Sequence, residues 1–170
     1  MTIPNSLHPE TLFRLNKPVF VRKLSRRNHW DMNQGAEFCY DQSFRDDTDE
    51  ISIWLLSTKE DVARFVLGFN ASMPNRSKTE VHYLIPFTEE ELLNHGLTPT
   101  QSPGGLNCTA TDSLHYNIPD DQGKVLGLIQ YCIDASRGYC GTKRGDLKQA
   151  LACLEAAGCL ALGSGPCTFL

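Results

Sequence analysis

The sequence predicts an α+β fold, with a small, mainly antiparallel sheet of about four strands packed with three to four helices. Segments of helical and strand period alternate irregularly along the chain and are joined by short turn-rich stretches. That irregular rhythm fits a doubly wound parallel sheet poorly. The composition is globular: 41% of the 170 residues are hydrophobic and 21% charged, enough for one buried core. The expected domain is residues 1–163, followed by a short flexible tail, 164–170.

The first strand is "PVFVRKL", Pro18 to Leu24, where Val19, Val21 and Lys23 alternate with Phe20, Arg22 and Leu24. The second is "EISIWLL", Glu50 to Leu56, rich in β-branched and aromatic residues. A helix follows, capped by Ser57 or Thr58 with Glu60 or Asp61 three residues on. Its apolar face is Val62, Phe65, Val66 and Phe69. "EVHYLIPF", Glu80 to Phe87, alternates again. Pro86 lacks an N–H, so that strand ends there or lies at an edge.

"FTEEELLNHG" is the strongest local signal. Thr88 caps, Glu91 returns the bond, Phe87 staples onto Leu92, and Gly96 suits the left-handed residue past the end. "DSLHYNI", Asp112 to Ile118, reads as a fourth strand. Val125, Leu128, Ile129 and Cys132 then form a helical face. A last helix is capped by Asp146, completed by Gln149 and ended by Gly158. Leu147, Ala150, Leu151 and Leu154 form its buried side.

The stretch from Arg26 to Asp41 shows neither period and reads as a loop. Its aromatics Trp30, Phe38 and Tyr40 are expected to pack on the sheet while its polar residues face water.

The net charge of -4 argues against a nucleic-acid partner. Charge is partitioned, however. Between Thr11 and Trp30 lie Arg14, Lys17, Arg22, Lys23, Arg26 and Arg27 with no acid, and the stretch from Asp31 to Asp61 is strongly acidic. The seven cysteines are irregularly spaced and form no C-x-x-C, which offers no zinc site; with no secretory signal they read as reduced thiols in a cytoplasmic protein. No metal is expected.

Three kinds of chemistry are conceivable. Arg22 on one strand, Ser52 on the next and the aromatic stretch between them resemble the start of an NAD-dependent ADP-ribosyl transferase. The resemblance implies that Arg22 holds the dinucleotide phosphate, that His29, Trp30 and Tyr40 line the ligand, and that an acid (Glu80, Glu89 or Glu91) stabilises the developing cation. NAD would be the cofactor on that reading, and none is expected otherwise. Cys140, flanked by Tyr139 and Gly141, is a candidate nucleophile if His82 or His115 meets it. The terminal "CTFL" has the pattern of a prenylation box at Cys167, with Cys159 as a second lipid site, and a membrane becomes a partner only through that modification.

Because the elements are well specified and no catalytic constellation is, the leading expectation is a protein-binding accessory, adaptor or immunity-like module. Its partner is a protein rather than a small molecule. The transferase and the lipid-anchored peripheral protein are the alternatives.

Overall fold

The computed structural model describes residues 3–45, 48–71, 82–102 and 109–156. Helix α1 (Pro9–Phe13) leads into β1 (Val19–Leu24). Next come α2 (Gly35–Ser43), β2 (Glu50–Leu56), α3 (Lys59–Ala71), β3 (Tyr83–Phe87) and α4 (Glu89–Asn94). The short β4 (Thr100–Gln101) and α5 (Thr109–Asp112) precede β5 (His115–Pro119) and α6 (Gln122–Asp134). The described chain closes with β6 (Cys140–Gly141) and α7 (Arg144–Ala156).

All strands join one antiparallel sheet of order β4-β5-β2-β1-β3-β6. The α+β expectation holds, but the sheet has six strands rather than about four, and the described residues form more helices than the three to four expected. The two additional strands, β4 and β6, are two residues long. A pair of residues carries no alternation to read, so only their partners β5 and β3 reveal them.

Strand alternation sorts the core into two layers. Val19, Val21, Trp54, Leu56 and Leu84 face α1, α3 and α7. Phe20, Leu24, Ile51, Ile53, Ile85, Phe87 and Ile118 face α2, α4 and α6. The sheet therefore lies between two helical layers and buries apolar side chains on both faces.

The caps form largely as read. Thr58 Oγ1 accepts from the Asp61 N–H at 3.1 Å, and the Asp61 carboxylate accepts from the Thr58 N–H at 3.0 Å. The capping box at α4 is complete, and Gly96 is left-handed with φ 70°. In α3, Gly68 lies directly against the Thr111 side chain, where a Cβ would collide. That close approach is why glycine stands inside this helix.

Three expectations need correction. The stretch read as a loop from Arg26 to Asp41 contains two 3-10 turns and most of α2. Its helical face is short and mixed, and packing against α6 stabilises it more than its own sequence does. Helix α7 starts at Arg144, so Asp146 lies inside its first turn, where its carboxylate accepts from Ser6 Oγ at 2.7 Å. The strand expected from Asp112 begins only at His115, because Thr109–Asp112 form α5.

Candidate functional site

The side chains of Arg22 and Ser52 leave the sheet on opposite faces. Arg22 alternates with Val21 and Lys23, on the face of Phe20 and Leu24. Ser52 shares the face of Trp54 and Leu56. The Arg22 guanidinium is also engaged, donating to Ser43 O at 2.7 Å and Ser52 O at 2.9 Å. It thereby satisfies a carbonyl in the last turn of α2, where a cation is favoured.

Trp30 is buried and its Nε1 donates to Arg137 O at 3.0 Å. The Tyr40 hydroxyl donates to Asp120 at 2.8 Å; burial and that carboxylate push its pKa up to about 12. The His29 carbonyl accepts from Ser43 Oγ at 3.0 Å. Tyr40 and His29 thus tie α2 to its surroundings, and Trp30 ties the segment before it to Arg137. Glu80 and Cys167, and with them the lipidation reading and the 164–170 tail, lie outside the described residues, as do Val81, Cys159 and Gly158.

The Cys140 thiol donates to Leu12 O at 3.2 Å, and burial raises its pKa against the opposing effect of Arg14. Cys39 is raised by burial, and Cys132 is pushed by burial to about 11. A buried thiol of raised pKa is a poor nucleophile. His82, just before β3, and His115 on β5 lie on one face of the sheet but apart, with β1 and β2 between those strands. His82 packs on Phe65 and Phe69, and His115 on Trp54. The Nδ1 of His115 meets Ser102 O; that oxygen only accepts, so Nδ1 carries the proton. Among the described residues no group of three His, Cys, Asp or Glu converges as a metal site.

The clefts lined by described residues include the following. A groove of about 510 Å³ runs between α2 and α6 past Ala36 and Gly127. Another of about 570 Å³ lies between the end of α1 and the segment after α6, beside Arg14 and Tyr139. The third, of about 410 Å³, is the most enclosed and is floored by the sheet itself.

That floor comes from three adjacent strands. Phe20 on β1 stands opposite Leu55 on β2, and the ring of Tyr116 on β5 meets Phe20 edge-on at 5.1 Å. The rim carries Lys17, Pro18, Ser57, Thr88, Glu89, Glu90 and Pro99. Lys17 bridges Glu90 at 3.1 Å, with both side chains mostly exposed. An apolar floor with a few polar rim groups is the usual make-up of a binding pocket.

The three floor residues are far apart in the chain and each reads as an ordinary strand residue. Only the strand order β5-β2-β1 brings them together.

No family model, curated protein or solved structure matches this chain. Among the described residues no helix is long and apolar enough to cross a membrane.

Proposed function

We propose that this chain is a protein-binding accessory, adaptor or immunity-like module, and that its partner docks an apolar side chain into the cleft over Phe20, Leu55 and Tyr116. The observation that carries this reading is the make-up of the cleft: an aromatic and aliphatic floor, set within a charged and proline-bearing rim. An apolar pocket with a polar surround is the form that interface anchor sites take. The partitioned charge of the sequence would steer such an encounter and fix its orientation.

Affinity capture with the wild-type chain and with Leu55→Glu tests the proposal. Leu55 is half-buried on the cleft floor, so the added carboxylate reaches the surface and leaves the two cores largely intact. A partner purified from the capture should bind the wild type directly and bind Leu55→Glu at least about tenfold more weakly, the effect expected of a central anchor. Equal binding by a folded Leu55→Glu would refute docking at this cleft.

A further inference from the structure

Building on that docking reading, we infer that the partner segment inserts an aromatic side chain flanked by lysine or arginine. The Phe20 and Tyr116 rings at the floor meet edge to face, at 81° to one another. An incoming ring extends this arrangement with edge-to-face contacts, which an aliphatic side chain cannot make.

The rim selects the neighbours of that ring. Glu89 and Glu90 are exposed there and Lys17 is the rim's one described cation, so two carboxylates face one ammonium. Lys17 is held by Glu90 at 3.1 Å, which leaves Glu89 to meet the partner. The positive end of α4 is partly answered within the helix itself. The Thr88 N–H already donates to Glu91, and the Glu91 N–H to Thr88.

A lysine or arginine beside the ring lays its aliphatic stem over Pro18 or Pro99 and reaches Glu89 with its charged head. An aspartate or glutamate in the same place meets like charge.

The test uses the isotopically labelled full chain and three short capped peptides, each with a central tryptophan. The flanks are serine, lysine or glutamate. The serine peptide is expected to perturb Phe20, Leu55 and Tyr116, and the lysine peptide to bind the same residues roughly two- to fivefold more tightly per added charge. That preference should shrink in about 1 M salt, where the screening length falls to roughly 3 Å.

Glu89→Lys should reverse the order of the lysine and glutamate peptides. Lys17→Ala, which releases Glu90, should widen it. Both residues are exposed, so neither change threatens the fold. Equal affinity of the three peptides at the cleft would overturn the basic-flank inference and leave apolar docking standing. Failure of every peptide to perturb the cleft would overturn both.

Discussion

His82 shows how one buried side chain sets a property of the whole molecule. It is 1% exposed, packed on Phe65 and Phe69 near Lys23. Burial first, and then the Lys23 charge, lowers its pKa from 6.5 to about 3. In the unfolded chain it titrates at its ordinary value, so between those limits the unfolded state binds more protons. Stability therefore rises with pH across that window and is lost as pH falls below about 6.5, by up to about 1.4 kcal/mol per pH unit. Carboxylates stay mostly ionised above about pH 5, which leaves a range where histidine dominates. Urea midpoints measured from about pH 5 to 7 should slope for the wild type and flatten for His82→Leu. Equal slopes would show that another group controls the transition.

At the scale of elements, the tightest tie in the second helical layer is Arg137 to Glu91. Arg137 follows α6 in a turn where the Ser136 N–H donates to Ile133 O and the Arg137 N–H to Cys132 O, each at 2.8 Å. Ser136 stands left-handed at φ 53° in a place glycine usually takes. The turn aims the guanidinium at α4, where it makes two bonds of 2.6 Å to the Glu91 carboxylate. Burial alone would raise the Glu91 pKa, but Arg137 and Thr88 outweigh it and hold the carboxyl below its usual value.

The two side chains are only 15% and 13% exposed. Arg137→Leu therefore strands a buried carboxylate and is expected to cost about 3–5 kcal/mol, read by chemical denaturation. The double change with Glu91→Leu should recover much of that loss. A single-mutant loss below about 1 kcal/mol would show that Glu91 finds other solvation. Half of this tie was legible in the sequence: Glu91 as a cap partner was, because a capping box is local. Arg137 was not, because its partner lies 46 residues away.

Across the whole molecule, β3 and β5 are limited on their outward sides by the same two devices. The outward-facing positions on and just before β3 are His82, Leu84 and Pro86. The first two meet β6 and Thr142. Pro86 has no N–H, and its carbonyl accepts from Arg137 at 3.3 Å. On β5, His115 O accepts from Ser102 N–H, Asn117 pairs with Thr100, and the next outward residue is Pro119. A two-residue strand followed by proline thus limits each of these two strands, which guards against pairing with another chain. Pro86→Val restores a donor beside Ile85 and Phe87 and should promote self-association at high concentration, seen by light scattering. A variant that stays as monodisperse as the wild type would assign the block to Arg137 instead.

The sequence by itself determined the local features: the alternation of β1, β2 and β3, the apolar faces of α3 and α6, the caps at Thr58 and Thr88, and the α+β class. Each rests on interactions within a few residues, where period and hydrogen-bonding chemistry can be read directly. The tertiary structure decided the rest. It made α2 from a stretch with no clear period and added edge strands too short to signal themselves. It sent Arg22 and Ser52 to opposite faces and set Phe20, Leu55 and Tyr116 side by side. Those outcomes depend on strand order and on packing between distant segments, which no local pattern specifies.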